Sequence, residues 1–107
     1  MSGLTIKTEK PDKNLTILRL SGEFEGYAAL DGKEELLRCA ADTSCGSLML
    51  DMAGIEYIDS AALGILLEMS KIAANKKISL GLIHVLDPVK KVIQVTQLDK
   101  VLKILDR

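Results

Sequence analysis

The sequence predicts a single α/β domain, built as a mixed β-sheet with helices packed on it. Segments with the alternating pattern of strands and segments with helical periodicity follow one another in the order β-β-α-β-α-β-α-β. The length of 107 residues suits one compact domain. Its core is expected to be aliphatic, because the chain has 33 Leu, Ile and Val residues and only three aromatic ones, Phe24, Tyr27 and Tyr57.

The first half of the chain is predicted to contain a strand hairpin, one helix and one central strand. Apolar and polar side chains alternate in the first two segments, and residues 10–14 between them have turn chemistry. Leu30, Leu37 and Ala41 recur at helical spacing and predict the buried face of the helix. The predicted elements are strands at residues 4–9 and 15–20, a helix at residues 27–41, a strand at residues 47–52 and a loop at residues 53–58.

The second half of the chain is predicted to alternate helices with strands. Asp59 and Ser60 both favour helix N-caps, and Asp87-Pro88 opens a later helix with Pro88 at its first position. Parallel strands need crossover connections, so these helices are expected to pack on the sheet. The predicted elements are a helix at residues 61–75, a strand at residues 78–85, a helix from Asp87-Pro88 to residue 96 and a strand at residues 101–105.

Composition argues against membrane insertion and nucleic-acid binding. The longest apolar run, residues 61–67, is far shorter than the ~18 residues that a membrane span needs, and charged residues near the N-terminus interrupt any signal-peptide pattern. A soluble, cytoplasmic protein is therefore expected. Three aromatic residues provide too little stacking surface for a single-strand nucleic-acid binder.

The sequence contains no recognisable catalytic or metal-binding motif. His84 is the sole histidine, and the spacing of Cys39 and Cys45 matches no common zinc site. Phosphate-binding loops, metalloprotease motifs and nucleophile elbows are absent. We therefore expect no enzyme activity, metal or cofactor. His84 is expected to be a satisfied side chain at a strand end, and the cysteines are expected to be reduced, partly buried thiols, with a redox pair as the alternative.

The net charge of −1 conceals a strong segregation of charge along the chain. Residues 1–20 have four basic and two acidic groups, residues 21–70 have two and ten, and residues 71–107 have eight and three. No Lys or Arg lies between residues 39 and 70. Two interpretations stay open: a dipolar surface that steers a partner, or a solvated surface on which the charges merely segregate.

Residues 58–64, Ile-Asp-Ser-Ala-Ala-Leu-Gly, form the main candidate site. Ser60 stands at the start of a predicted helix and is followed by the small side chains of Ala61 and Ala62. In one interpretation the Ser60 hydroxyl is only an N-cap. In the other it carries a phosphate, because the unpaired N–H groups and the dipole of a helix N-terminus favour an anion there.

Four segments, in order, give the chain a resemblance to the STAS domains of bacterial anti-sigma factor antagonists. The most specific segment is Asp59-Ser60-x-x-Leu63-Gly64, and the other three match at the level of pattern. The likeness covers about residues 4–105 and implies a single-domain STAS-like fold. The other segments are Ser21-Gly22-Glu23-Phe24-Glu25, the strand ending in Leu50-Asp51, and Pro88-Val89-x-x-Val92.

The resemblance implies a protein-interaction switch. In this family the serine of the motif is phosphorylated by an anti-sigma factor that is itself a kinase, and the unphosphorylated form captures that anti-sigma factor. By position Ser60 is the phosphoacceptor, on which a phosphatase is also expected to act. Ala61 and Ala62 stand where the family usually has a hydroxyl residue and a glycine. The expected partner-binding residues are Phe24, Glu25, Tyr27, Asp59, Ser60, Ala61, Ala62 and Leu63.

Two other functions are compatible with parts of the sequence. A STAS domain also serves as an accessory subunit of membrane lipid or anion transporters, a role that needs no phosphoserine. A nucleotide-binding domain is disfavoured by the missing phosphate loop. The oligomeric state stays open. If the strands before these connections run parallel, the three aromatic rings, Phe24, Tyr27 and Tyr57, lie at the edge of the sheet that carries Ser60. There they either border the partner interface or only fill gaps at the edge of the core.

Overall fold

The computed structural model describes residues 3–42, 44 and 46–105. Within this part of the chain, helices and strands follow the predicted order, which confirms the mixed α/β fold class. A short 3₁₀ helix, Leu98–Lys100, precedes the last strand. The strands are β1 (Leu4–Asp12), β2 (Leu15–Phe24), β3 (Ser47–Ile58), β4 (Ser79–Ile83) and β5 (Lys103–Ile104), and the helices are α1 (Gly26–Asp42), α2 (Ser60–Asn75) and α3 (Asp87–Val95).

The five strands form one sheet in the order β1-β2-β3-β4-β5. β1 pairs antiparallel with β2, and every later pair of neighbours is parallel. Each parallel pair is connected through a helix, and the buried residues of all three helices form one core cluster with one face of the sheet, as expected for right-handed crossovers between strands in sequence order. Leu18, Leu50 and Leu82 stand side by side on that face and are buried. The core is aliphatic as predicted, with Phe24 as its one aromatic ring.

The main correction to the predicted elements concerns residues 53–58, which continue β3 instead of forming a loop. β2 also extends beyond its predicted end, and the two strands stay paired as far as Phe24 and Ile58. This pairing supplies hydrogen-bond partners to the backbone of the extension. Gly54 permits the close approach of the strands, because a Cβ atom there would lie 2.7 Å from the Cβ of Ser21.

The buried face of α1 is one residue out of phase with the prediction. Leu30 and Ala41 are exposed and Leu37 is half-buried, whereas the residue before each of them is buried. Tertiary packing sets this phase, since Gly32 lies so close to β1 that an added Cβ would be 2.9 Å from Cδ2 of Leu4. The buried residues of α1 are Ala29, Leu36 and Ala40.

The other element boundaries differ from the prediction by a few residues, as helix and strand ends commonly do. Residues 10–12 of the predicted turn belong to β1, and the last strand is shorter than predicted. α2 begins at Ser60, β4 ends at Ile83 and α3 ends at Val95.

His84 is a satisfied side chain beyond a strand end, as predicted. Its Nδ1 lies 3.1 Å from Oδ1 of Asp51, a carboxylate that also accepts hydrogen bonds from Arg19 and from the backbone N–H of Ala53. Burial raises the pKa of Asp51, which is 4% exposed, but the hydrogen bonds from Ala53 and His84, together with the charge of Arg19, outweigh burial and hold its pKa below the usual value.

Cys39 is reduced and half-buried, as predicted, and burial raises the pKa of its thiol. Cys45 lies outside the described residues, so its state stays a prediction. Across residues 3–42, 44 and 46–105 no group of three or more side chains suited to a metal ion is present. None of the helices in the described part of the chain is long and apolar enough to cross a membrane.

Candidate functional site

The predicted site lies where β2 and β3 end side by side. The two strands run parallel, and Phe24 pairs with Ile58 at their last positions. α1 begins at Gly26 and α2 at Ser60, each two residues after its strand ends. The N-termini of both helices therefore meet at one edge of the sheet, where α/β domains commonly bind ligands and partners.

Asp59 joins the starts of the two helices. Its Oδ1 accepts a hydrogen bond from the backbone N–H of Ala62 at 3.1 Å, and its backbone is extended, so it is the N-cap of α2. Its Oδ2 accepts a hydrogen bond from the backbone N–H of Gly26, the first residue of α1, at 2.9 Å. Burial raises the pKa of Asp59, but the backbone N–H donors outweigh burial and hold its pKa below the ordinary value.

Ser60 is the first residue of α2 and is exposed. Since Asp59 caps the helix, the interpretation of Ser60 as only an N-cap is wrong. One turn further along α2, Gly64 is also exposed, and a Cβ atom added there would meet nothing within 4 Å. The serine hydroxyl therefore stands on an unobstructed part of the helix surface.

Three of the predicted partner-binding residues have almost no exposed surface. Phe24 and Ala62 are 0% exposed, and Leu63 is 7% exposed. They belong to the core beneath the site, so the prediction that they contact a partner is corrected: they support the surface residues from below. Glu25 and Ala61 are half-buried.

Three exposed apolar side chains belong to the segments next to Ser60, and we call Tyr27, Leu30 and Tyr57 the apolar rim. Tyr27 is 87% exposed, Leu30 51% and Tyr57 50%. Tyr27 and Leu30 lie one turn apart at the start of α1, while Tyr57 stands near the end of β3. Parallel pairing of β2 and β3 confirms that both tyrosines lie at this edge. Sequence reasoning missed Leu30 as a surface residue, because the wrong helix phase placed it in the core.

A carboxylate lies in the chain shortly before the start of α1 and of α2. Glu25 precedes α1, and Glu56 lies at the end of β3. Lys33, the first cation of α1, is paired with Glu68 of α2, with Nζ 3.2 Å from Oε1. A phosphate on Ser60 would thus gain from the dipole of α2 but would find acidic neighbours rather than an arginine cluster.

Replacing Asp59 by alanine is expected to lower the free energy of unfolding by about 1 kcal/mol, because α2 loses its N-cap. The folded-state pKa of Asp59 lies below the unfolded value. The contribution of the carboxylate is therefore complete above an unfolded pKa of about 3.9 and is lost as the pH falls through the folded pKa. Urea unfolding of wild type and variant at neutral and acid pH measures this loss.

The matched control for this prediction is Asp59→Asn, which keeps an oxygen acceptor at the cap and is expected to lose less stability than Asp59→Ala at neutral pH. The difference in the free energy of unfolding between wild type and Asp59→Ala should become smaller at acid pH. An equal difference at both pH values would contradict an ionised Asp59 as the cap.

Comparison with known proteins gives one family and several similar structures. A model of the STAS domain family matches residues 5–107. A curated anti-sigma F factor antagonist from Paenibacillus polymyxa is 23% identical over 94 residues, which cover 88% of this chain and 80% of the relative. The crystal structure of an anti-sigma factor antagonist from Mycobacterium paratuberculosis has a TM-score of 0.79 at 23% identity, covering 95% of this chain and 85% of that one.

A second solved structure is the Bacillus cell fate determinant SpoIIAA in its phosphorylated form. Its TM-score is 0.72 at 16% identity, and the match covers 96% of this chain and 91% of that one. At such identities the structural likeness supports the fold, while the family match extends over nearly the whole chain. The chain belongs to the STAS domain family.

Proposed function

We propose that this chain is an anti-sigma factor antagonist, a cytoplasmic interaction switch in which Ser60 is the regulated residue. The unphosphorylated form binds an anti-sigma factor with serine kinase activity, phosphorylation by that partner releases it, and a phosphatase restores the binding form. The exposed serine at the start of α2 is the observation that carries the proposal. The name of the Paenibacillus polymyxa relative supports the choice of partner.

The apolar rim provides the surface for binding. Exposed aromatic and aliphatic side chains gathered at one place mark sites of protein association, and tyrosine is among the residues that contribute most to binding energy. Asp59 fixes the rim relative to Ser60, since it ties the first residue of α1 to the start of α2. A partner that covers the rim therefore also reaches the serine.

The phosphoryl-transfer step assigns different roles to the two proteins. Oγ of Ser60 attacks the γ-phosphorus of ATP held by the partner, the bond to the bridging oxygen breaks, ADP leaves, and the hydroxyl proton passes to a base. Both carboxylate oxygens of Asp59 already accept backbone hydrogen bonds. These bonds hold the carboxylate in place and lower its pKa, which weakens it as a base, so we assign Asp59 as a positioning residue and the base to the kinase.

Release follows from the charge added at Ser60. A phosphoserine brings about −1.5 to −2 charges to a surface that already carries Glu25 and Glu56. The helix N-terminus tolerates the phosphate, so the domain stays folded. A bound partner would have to cover the phosphate together with these carboxylates, so repulsion among the crowded like charges and the added bulk at the rim both disfavour the complex.

Intact-mass analysis after incubation with the cognate kinase-type anti-sigma factor and ATP tests the modification. The wild-type chain should gain the mass of one phosphate, and Ser60→Ala should gain none. Absence of any gain in the wild type, or a gain that persists in Ser60→Ala, would overturn the assignment of the site.

Alanine at Tyr27 or at Leu30 is expected to weaken binding to the anti-sigma factor about tenfold for each substitution. Both side chains are at least half exposed, so their loss should change the stability of the isolated domain by less than about 0.5 kcal/mol. Isothermal titration calorimetry measures the affinity. Val95 is 73% exposed at the far end of α3 and supplies the matched control, Val95→Ala, which should bind like wild type. An equal loss of affinity in all three variants would contradict binding through the apolar rim.

A further inference from the structure

A cleft of about 460 Å³ lies at the end of the sheet opposite to Ser60. It is formed between the turn that joins β1 to β2 and the last turns of α1. Thr16 and Leu18 are its buried lining residues, and half-buried Cys39 lies beside them. Its volume falls within the range of small-molecule sites in proteins.

Among the described residues, three cations line this cleft: Lys10 from the end of β1, Lys13 from the β1–β2 turn, and Arg38 from α1. Within the described part of the chain none of the three forms an ion pair. Asp12 and Asp42 also line the cleft and offset part of this charge, so that three cations and two carboxylates leave a net charge of +1 on the lining. Oδ1 of Asp12 accepts a hydrogen bond from the backbone N–H of Asn14, two residues further along the turn, at 2.6 Å.

The topology gathers further positive charge at the same end of the molecule. Since β2 to β5 run parallel and the helices return in the opposite direction, the starts of these strands and the ends of the helices share one pole. Lys76 and Lys77 follow α2 there, and Lys100 and Lys103 stand before and within the short β5. A pole with this excess of cations attracts small anions.

We propose that this cleft binds a small organic anion. A phosphate or carboxylate group contacts the ammonium groups of Lys10 and Lys13 and the guanidinium of Arg38, whose planar fork suits either oxyanion. An apolar part of the ligand packs against half-buried Cys39, and the fully buried Leu18 forms the core behind it. The cleft is separate from the switch at Ser60, because it lies at the starts of the parallel strands whereas Ser60 follows the end of β3.

A titration followed by backbone amide NMR tests the proposal with phenyl phosphate and benzoate as the probes. Both should shift the amide resonances of residues around Thr16 and Cys39 in a saturable manner. The probe with the higher affinity shows whether the cleft prefers a phosphate ester or a carboxylate. Inorganic phosphate, which has no apolar part, should bind more weakly than phenyl phosphate. The cation phenyltrimethylammonium should cause no saturable shift. Saturation by this cation, or no saturable shift with either organic anion at millimolar concentration, would overturn the proposal.

Three single substitutions locate the binding energy. Arg38→Gln and Lys13→Gln should each weaken phenyl phosphate about tenfold, because each removes a charged hydrogen-bond donor. Lys91 is exposed on α3 outside the cleft, and Lys91→Gln should change the affinity by less than about twofold. Equal weakening by all three substitutions would mean that the anion senses only the overall charge, which would overturn a defined site. Circular dichroism verifies that each variant is folded, and the two cleft variants come from different elements, so a folding defect in one leaves the other as the test.

Discussion

Substituting Ser60 by aspartate is expected to weaken binding to the anti-sigma factor about a hundredfold, which corresponds to ~2.7 kcal/mol. The new carboxylate would stand at the first position of α2, beside the apolar rim and near the carboxylates of Glu25 and Glu56. Like charges brought together at an interface cost several kcal/mol when the partner surface is matched to the unmodified protein. The helix N-terminus accepts the charge, so the loss belongs to the interface and not to the fold.

Ser60→Ala is the matched control, because it removes the hydroxyl without adding charge and should bind nearly as tightly as wild type. Fluorescence anisotropy at low and high salt separates the two parts of the effect, since salt screens repulsion but not steric exclusion. Partial recovery of Ser60→Asp binding at high salt indicates repulsion. If Ser60→Asp bound with wild-type affinity, or if Ser60→Ala lost as much affinity as Ser60→Asp, the proposed switch would be wrong.

The order of elements was predictable because each strand and helix carries its own local pattern. Alternation in β1 and β2, the apolar run of β3 and the Asp-Pro start of α3 are all readable within a few residues. The length of β3 was not readable in this way. Its extension depends on pairing with the extended end of β2, and residues 53–58 show no clear alternation of their own. Strand pairing between distant segments decided where the strand ends.

The phase of α1 shows the same limit in a helix. Two adjacent stripes of α1 contain apolar residues, and local periodicity alone favoured the one with Leu30 and Leu37. Close packing of Gly32 against Leu4 selects the other stripe. The consequence reaches the candidate site, because the same rotation carries Leu30 to the surface beside Tyr27.

The residues at the centre of the candidate site were predictable from the sequence, but the hydrogen bond that joins them to α1 was not. Ser60 and Asp59 were recognisable from the junction of strand, loop and helix. The hydrogen bond from Gly26 to Asp59 joins residues 33 positions apart, so no local pattern indicates it. The partner-binding role expected for Phe24 was wrong for a related reason: residues 21–23 before it are all exposed, so no local pattern indicates that the Phe24 ring is buried.

Truncation of Phe24 to alanine is therefore expected to act on the fold and to lower the free energy of unfolding by about 3–5 kcal/mol. Phe24 is 0% exposed and is the one aromatic ring of an otherwise aliphatic core, at the last paired position of β2. Its removal leaves a cavity beneath the starts of both helices. Because a domain of this size has only about 5–15 kcal/mol of stability, the loss is a large fraction of the total.

Urea unfolding of Phe24→Ala and Tyr27→Ala distinguishes a residue that stabilises the fold from one that contacts the partner, although the two residues are only three positions apart. Tyr27 is 87% exposed, so its truncation should shift stability by less than about 0.5 kcal/mol while weakening the partner complex. Phe24→Ala should show the opposite balance: a midpoint displaced to much lower urea, and near wild-type affinity for whatever fraction stays folded. If Phe24→Ala kept full stability and lost only binding, the ring would be a contact residue after all, and the division of this edge into a buried support and an exposed apolar rim would be wrong.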